Sequence, residues 1–248
     1  MTTVTRRPGT CPLRIAFVGV GQTGTAMFRR LAHAGHDVVA IPHNQDHAHR
    51  LGAAGIPVLH VAPGTLVSSH TTGDPAVLRR TDEDLRRRGS QAVEGTLSGD
   101  AASIVQGRLT VILSGDHAAI ARAEDVLGSY TDVTIRCGSL GHAQRLKLLN
   151  NLTFVANAQL ALEALAAGTE LGLDPSLITQ ALMASSGASR ALGIIAEFPG
   201  TDAFVDQVGR YMVKDVAACP RVIDSLGIDL PHLSVAAANG PIATSATA

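Results

Sequence analysis

The chain has 248 residues, 46% of them hydrophobic, which is enough for two modest domains that each bury a core. Twenty basic residues against twenty-one acidic ones give a formal net charge of -1, which disfavours nucleic acid and anionic membranes as partners. No Trp, two Tyr and five Phe also leave few platforms on which single-stranded bases could stack. A small molecule is therefore the expected partner.

The N-terminal residues and the cysteines indicate the compartment. Residues 1–12 contain basic residues but no apolar signal segment, so we expect a flexible leader in a cytoplasmic protein. Cys11, Cys137 and Cys219 lack the spacing of a metal or redox site, which suits a reducing compartment. No uncharged apolar run is long enough to cross a bilayer.

A strand from Leu13 to Val18 leads directly into GVGQTG, followed by a helix to about Ala34. Glycines at this spacing permit a tight turn, close approach of a pyrophosphate and close packing of the helix on the strand. The pattern predicts a dinucleotide site on the helix N-terminus. Its candidate cofactor-binding residues are Gly19, Gly21, Gln22, Thr23 and Gly24.

The second strand, Asp37 to Ile41, bears on the choice between NAD and NADP. It is followed by Pro42, His43 and Asn44, without the carboxylate that usually binds the ribose 2′-OH of NAD. This favours NADP slightly, with His43, Asn44 or Arg50 near the 2′-phosphate. The histidines at positions 43, 47 and 49 lack completing carboxylate or thiolate ligands, so we predict no metal site.

Alternating strands and helices continue to residue 137. The pattern predicts strands at Val58–Val61, Thr65–Ser69, Gln91–Glu94, Leu109–Leu113 and Thr131–Cys137, and helices from Asp74 to Arg88 and from Asp116 to Leu127. A loop is expected from Gly95 to Asp100, with a short helical turn after it. The helix from Asp74 ends in three arginines, Arg86 to Arg88, which we interpret as favourable positive charge at a helix C-terminus.

The block GSLGHAQRLKLLNN, Gly138 to Asn151, converts a glycine loop into a long helix running to about Gly172. At helical spacing Lys147 and Asn151 share a face and Asn150 lies beside them. A cation in so leucine-rich a helix must be paired, solvated in a cleft or deprotonated. On this helix alone, a lysine that snorkels at the edge is the simpler interpretation.

Beyond Asn151 the pattern is helical, with Asp174-Pro175 capping the next helix and a helix predicted from Ala203 to Leu226. We therefore predict an α/β Rossmann-like domain over 13–141 and an all-α domain over 142–248. The first long helix carries leucines in excess of what a short domain can bury, at positions 160, 162, 165 and 171. This favours a homodimer through the helical domain.

Four blocks in this order resemble the β-hydroxyacid dehydrogenase family, the group of 3-hydroxyisobutyrate dehydrogenase and tartronate semialdehyde reductase. They are GVGQTG, GTLVSSHTTGDP, EGTLSGDAASIVQGRLTVILSGD, and GSLGHAQRLKLLNN with MVKD. The resemblance runs from about Leu13 to about Leu233. It implies a Rossmann-like domain followed by a helical domain, a nicotinamide cofactor and a dimer.

The resemblance also implies roles for individual residues. Lys147 becomes the acid/base and Asn151 its hydrogen-bonding companion. The substrate-binding positions are Ser98, Gly99, Asp100 and Asn150, and Thr72 and Lys214 lie beside the cofactor. This chemistry is coherent, because hydride transfer at a carbinol carbon requires a proton to move at its oxygen.

Two departures from the family pattern affect these expectations. The substrate loop reads EGTLSGD where the family has DAPVSGG, so Asp100 adds a carboxylate where the substrate's own should bind, and Arg190 stands where an aromatic is usual. A strand-helix-strand unit of about 30 residues is also missing between Gly55 and Pro63. We therefore expect a reduced sheet, or a sheet completed by another subunit.

Three functions are compatible with these observations. The first is an NAD(P)-dependent oxidoreductase acting on a 3-hydroxy acid or related carbonyl. The second is a non-catalytic dimeric relative that has lost part of its cofactor site. The third is an imine reductase, which Lys147 disfavours because such enzymes generally lack the lysine there.

Overall fold

The computed structural model describes residues 13–18, 22–41, 62–71, 75–209, 212 and 227–242. Contacts divide the chain into two compact units, Met1–Lys147 and Leu148–Ala248. The boundary falls inside a helix a few residues beyond the predicted domain boundary. Residues 42–61, which include Val58–Val61 and the shortened segment, lie outside the described residues.

The first unit alternates strands and helices. Its described elements are β1 Arg14–Val18, α1 Gln22–His33, β2 Asp37–Ile41, β3 Leu66–Ser69, α2 Pro75–Arg86, β4 Gln91–Ser98, α3 Ala101–Val105, β5 Leu109–Gly115, α4 His117–Leu127, β6 Thr131–Arg136 and the start of α5, His142–Glu170.

The strands of the first unit form two sheets. β1 and β2 are parallel, and a second sheet has the order β3-β4-β5-β6. Within it β3 is parallel to β4 and β6 to β5, whereas β4 and β5 are antiparallel. Among the described residues no strand joins β1 to β3. The alternation of strands and helices agrees with the predicted α/β domain. The segment between β2 and β3, where the resemblance implied a missing unit, lies outside the described residues.

The predicted loop over Gly95–Asp100 is wrong for its first four residues. Strand β4 continues to Ser98 because it pairs with β5, with Gly95 opposite Leu113 and Ser98 opposite Thr110. Glycine and serine have weak strand propensity, and the cross-strand hydrogen bonds outweigh it. Ser98 is therefore the last residue of a strand.

The core of the first unit lies between α1, the sheet and α4. Met27 and Leu31, one helical turn apart on α1, are each 2% exposed and belong to one cluster with Leu113 of β5. Across the same unit, the Arg30 Nε donates a hydrogen bond of 2.9 Å to the Ser129 carbonyl oxygen. Helix α1 is thus held by both apolar and polar contacts.

The second unit contains helices only among its described residues. After the remainder of α5 come α6 Pro175–Met183, α7 Arg190–Ile195, α8 over residues 201–209, and α9 Pro231–Ala238. The Asp174 side chain caps α6, as predicted, by accepting from the Ser176 and Leu177 N–H groups. The predicted helix from Ala203 to Leu226 is described only as far as residue 209.

Helix α5 supplies the core of the second unit. Ala158, Leu162 and Leu165 cluster with Ile178 of α6 and Leu192 of α7. These positions recur at three- and four-residue intervals on α5, so one stripe of the helix is buried. The predicted leucine excess is shared between the two faces, because Leu160 and Leu171 are 54% and 78% exposed.

Candidate active site

The end of strand β4 forms the predicted substrate loop. Gly99 follows Ser98 with φ +130°, and a Cβ there would lie 2.9 Å from Leu109 Cδ1, so only glycine fits. Asp100 is exposed and accepts hydrogen bonds from the Ser103 N–H at 2.8 Å and the Ser103 hydroxyl at 2.7 Å. These bonds lower the pKa of Asp100. Asp100 therefore caps the short helix α3, which gives this departure from the family a local structural reason.

Lys147 lies at the border between the buried and the exposed face of α5. It is half-buried, Leu148 after it is buried, and Leu146 before it is 41% exposed. One turn further along the helix Asn151 is 2% exposed, and it accepts a hydrogen bond of 3.3 Å from the Asn150 Nδ2. The helix thus brings Lys147 and Asn151 to one face, as the spacing predicted.

The start of α5 is bound by two strands of the first unit. The Glu94 carboxylate of β4 accepts hydrogen bonds from the Gly141 and Gln144 N–H groups, both at 3.1 Å. The Ser114 hydroxyl of β5 accepts from the Ala143 N–H at 3.3 Å. Sequence reasoning did not identify Glu94 or Ser114 as polar partners of this helix, because the partners lie 47, 50 and 29 residues apart in the chain.

Hydrogen bonds join the residues after β3 to β4 and to α5. His70 Nδ1 donates to the Gly95 carbonyl oxygen at 2.6 Å, and its Nε2 lies 3.3 Å from the Ser68 hydroxyl. Burial lowers the pKa of His70, so the ring is neutral at pH 7. The Gln144 Nε2 donates to the Thr71 carbonyl oxygen at 2.6 Å. Three elements therefore meet at the carboxyl end of β3.

Gly95 is closely surrounded in this arrangement. A Cβ at this position would lie 3.0 Å from His70 Cε1 and 3.1 Å from Leu113 Cδ2. A larger residue here would therefore require these side chains to shift by a few tenths of an ångström. Of the predicted cofactor-binding residues in this region, Thr72 lies outside the described residues.

The predicted dinucleotide turn is described in part. Helix α1 begins at Gln22, three residues after β1 ends at Val18, and its first turn carries no acidic side chain. Thr23 is exposed and Gly24 half-buried in this turn. A helix N-terminus without acidic residues suits a pyrophosphate, so these residues fit a dinucleotide. The remaining predicted cofactor-binding residues, which lie outside the described residues, are Gly19, Gly21, His43, Asn44 and Lys214.

The basic residues of the chain give a further signal. The sequence contains two lysines, Lys147 and Lys214, and its other eighteen basic residues are arginines. Arginine cannot lose its proton in a protein, whereas lysine can. The two positions that the resemblance assigns to chemistry and cofactor are thus the two at which the chain does not use arginine.

Two features of other kinds of protein do not occur within the described part of the chain. There, no three His, Cys, Asp or Glu side chains come together as a metal site would require. The described helices also include none with the length and apolar character to cross a bilayer.

Three family models match successive parts of the chain. The model for the NAD-binding of NADP-dependent 3-hydroxyisobutyrate dehydrogenase matches residues 141–245. The model for the NAD binding domain of 6-phosphogluconate dehydrogenase matches residues 58–138, and that for NADP oxidoreductase, coenzyme F420-dependent, matches residues 14–71.

Curated relatives match at about the same level. Human mitochondrial 3-hydroxyisobutyrate dehydrogenase is 29% identical over 160 residues, covering 64% of this chain and 47% of the relative. NAD-dependent L-serine dehydrogenase of Pseudomonas aeruginosa is 29% identical over 162 residues, covering 64% and 54%. The chain spans about half the length of the curated relatives it matches.

Solved structures show the same fold. The 3-hydroxyisobutyrate dehydrogenase of Mycobacterium tuberculosis with L-serine superposes with a TM-score of 0.77 at 20% identity, covering 92% of each chain. Imine reductase from Bacillus cereus gives a TM-score of 0.54 at 17% identity, covering 91% of each chain. The predicted fold class is confirmed.

The described fold is a Rossmann-like α/β domain followed by an all-helical domain. Within that class, the family models and the relatives agree on one group. The chain is similar in sequence to the β-hydroxyacid dehydrogenase family in both of its units.

Proposed function

We propose that the protein is an NAD(P)-dependent oxidoreductase that interconverts a small 3-hydroxy acid and its carbonyl compound. The observation that carries this proposal is the half-buried Lys147 one turn from the buried Asn151, in a chain that otherwise uses arginine at all basic positions but one. A position that tolerates any cation would be filled by arginine as readily as the others. Of the two strongly basic side chains, lysine can release its proton in a protein and arginine cannot, so a cationic position that exchanges a proton calls for lysine.

In the proposed reaction Lys147 takes the proton of the substrate hydroxyl during oxidation and returns it during reduction. Asn151, in the same helical face, orients the lysine or the substrate oxygen through its amide. The Ser98 hydroxyl and the backbone N–H of Gly99 suit the substrate carboxylate. A bound nicotinamide dinucleotide would supply the hydride acceptor or donor.

The relatives support a small hydroxy acid as substrate. Their names describe dehydrogenases of 3-hydroxyisobutyrate, L-serine and, in Cupriavidus necator, L-threonate. All three substrates carry a carboxylate close to a hydroxyl group. We propose the same chemical class here, with NADP favoured slightly over NAD because no carboxylate follows β2.

Substitution of Lys147 tests the proposal. Lys147→Ala and Lys147→Arg should both lower kcat by about 10² to 10⁴-fold, because neither side chain can exchange a proton near neutral pH. The dissociation constant for NADPH or NADH, followed by fluorescence, should change little. Turnover retained in Lys147→Arg would show that only the charge matters.

Absence of NADPH and NADH binding at millimolar concentration would refute the proposal and favour a non-catalytic relative. The strand-helix-strand unit that the resemblance implies between Gly55 and Pro63, and that the sequence lacks, is the observation that keeps this second candidate open. Imine reduction is distinguished by comparing rates on cyclic imines and on hydroxy acids.

We further propose a homodimer through the helical unit. Leu160 and Leu171 of this unit are 54% and 78% exposed, together with Leu177 at 54%. Burial of such leucines in a subunit interface would stabilise a pair of chains by about 25 cal/mol per Å² of apolar surface removed from water. Light scattering should return twice the chain mass of 25.6 kDa; a monomer would contradict the proposal.

A further inference from the structure

Glu94 is a charged side chain with no exposed surface. It lies in the middle of β4 and is 0% exposed. One of its oxygens, Oε2, accepts three hydrogen bonds, from the Ser114 hydroxyl at 2.6 Å and from the Gly141 and Gln144 N–H groups at 3.1 Å. These three donors compensate for the burial of Oε2. The other oxygen, Oε1, is buried and has no hydrogen-bond partner among the described residues.

Two of the three donors, the Gly141 and Gln144 N–H groups, lie at the start of helix α5, so Glu94 acts as a cap supplied from another part of the chain. The first N–H groups of a helix lack partners inside the helix and are normally capped by the residue before it. Here that residue is Gly141, which has no side chain. The Glu94 carboxylate replaces the missing cap, and its negative charge lies at the positive end of the helix dipole.

Two further bonds fix the first turn of α5 on the sheet. The Ser114 hydroxyl donates to Glu94 and accepts from the Ala143 N–H at 3.3 Å. The Thr96 hydroxyl of β4 donates to the Ala143 carbonyl oxygen at 3.3 Å. Because both polar groups of the Ala143 backbone are bound, the turn can neither slide along β4 nor rotate without breaking hydrogen bonds.

Strand β4 carries one position of the proposed site and binds the helix that carries the other. Ser98 lies four residues beyond Glu94, about 13 Å along the strand. Lys147 lies one turn beyond Ala143 on α5, on the same helical face. The same strand that ends in the proposed substrate loop thus holds the helix that carries the proposed acid/base.

We infer that Glu94 is a positioning residue: with Ser114 it fixes the first turn of α5 on β4 and so sets the place of Lys147 relative to Ser98 and Gly99. The catalytic consequence rests on the proposed function. The structural consequence is that the position of Lys147 changes when Glu94 is replaced, and this does not depend on the proposed function.

Asp82 provides a matched control. It is also a buried carboxylate, 6% exposed, and it binds the opposite end of β4 by accepting from the Ala92 N–H at 2.7 Å. Its other oxygen accepts from Arg86 Nε at 2.6 Å. These bonds join α2 to β4 and do not involve α5, so Asp82 contributes to stability without setting the place of Lys147.

The first experiment compares steady-state kinetics of Glu94→Gln, Glu94→Asp and Asp82→Asn. Glu94→Gln should lower kcat about tenfold or more at an unchanged KM for the cofactor, because small displacements of a catalytic group cost rate rather than cofactor affinity. Glu94→Asp keeps the carboxylate and should regain part of the loss. Asp82→Asn should lower the melting temperature and leave kcat unchanged.

The second experiment needs no turnover. Reductive methylation with ¹³C-formaldehyde labels the two lysines and the N-terminal amine, and Lys147→Arg and Lys214→Arg assign the two lysine resonances. In folded Glu94→Gln the Lys147 resonance should shift, because the first turn of α5 loses hydrogen bonds that hold it on β4. Ser114→Ala alters no charge, and it should move the Lys147 resonance while that of Lys214 stays. Asp82→Asn should move neither.

The kinetic and NMR results together show whether Glu94 positions Lys147. Wild-type kcat or an unmoved Lys147 resonance in folded Glu94→Gln overturns the inference. A change in Glu94→Gln without one in Ser114→Ala shows a charge effect only and also overturns it. If Glu94→Gln does not fold, Ser114→Ala alone decides by the same criterion. If the wild-type protein has no turnover, the proposed function fails, and the resonances still test Glu94.

Discussion

The two units of the molecule hold their helices in different ways. In the first unit polar side chains reach across the fold: Glu94 binds Gly141 and Gln144, 47 and 50 residues away, and Arg30 binds Ser129, 99 residues away. In the second unit the caps are local. Asp174 binds the N–H groups two and three residues after it, and Ser189 binds that of Leu192.

The difference follows from the elements that each unit contains. A sheet fixes polar groups at the ends and in the middle of its strands, and these groups can serve as caps for helices that pack on it. A group of helices has satisfied backbones and presents mainly apolar stripes. In the first unit a single substitution can therefore displace a distant helix, whereas in the second unit most polar changes stay within one turn.

Gln159 is an exception in the second unit, and its substitution should have the largest effect. This buried side chain donates to the Ala237 and Ile242 carbonyl oxygens at 3.2 and 2.9 Å, and accepts from the Ile242 N–H at 3.1 Å. Gln159→Leu leaves three buried backbone groups without partners and should lower the free energy of unfolding by about 3 kcal/mol.

Urea unfolding measures that loss, and hydrogen exchange should show faster exchange of the Ile242 amide. If Gln159→Leu keeps the stability of the wild-type protein, long-range polar bonds contribute little to the stability of the helical unit. Only the first unit would then depend on hydrogen bonds between distant residues.

Smaller losses of stability are expected when two aspartates of helix α2 are replaced. One of them forms a long-range hydrogen bond and the other a local ion pair. Asp82→Ala removes the buried bond to the Ala92 N–H and should lower the free energy of unfolding by about 2 kcal/mol. Asp84→Ala removes an exposed pair with Arg87, 2.6 Å apart and three residues away, and should change it by less than about 0.5 kcal/mol.

Chemical denaturation of the two variants under one set of conditions provides the comparison. Equal losses would show that the long-range bond is no more valuable than a surface pair, and the distinction between the two units would then lose its energetic basis.

The local part of this structure could be predicted from the sequence. Asp116 and Asp174 were predicted to open α4 and α6, and both cap N–H groups two and three residues later, within the reach of a local pattern. The helical spacing that brings Lys147 and Asn151 to one face is local as well. Their roles, like those of Ser98 and Gly99, stay predictions.

The long-range part could not be predicted in this way. The continuation of β4 from Gly95 to Ser98 depends on pairing with β5, and the side chains of Glu94 and Ser114 find their partners through that pairing. Propensity describes single segments and contains no information on which strand is the neighbour. One signal could have been read from the composition: Lys147 and Lys214 are the two lysines of the chain, and both are positions to which the resemblance assigns a role.

Helix α5 crosses the boundary between the units, and this has a consequence for recombination between relatives. The matches to two family models meet between residues 138 and 141, whereas the compact units divide after Lys147. A chimera joined at the loop before α5 would import the helix with its lysine but keep Glu94 and Ser114 from the recipient. Exchange of helical domains within the family should therefore succeed best when strands β4 and β5 are transferred together with the helix they cap.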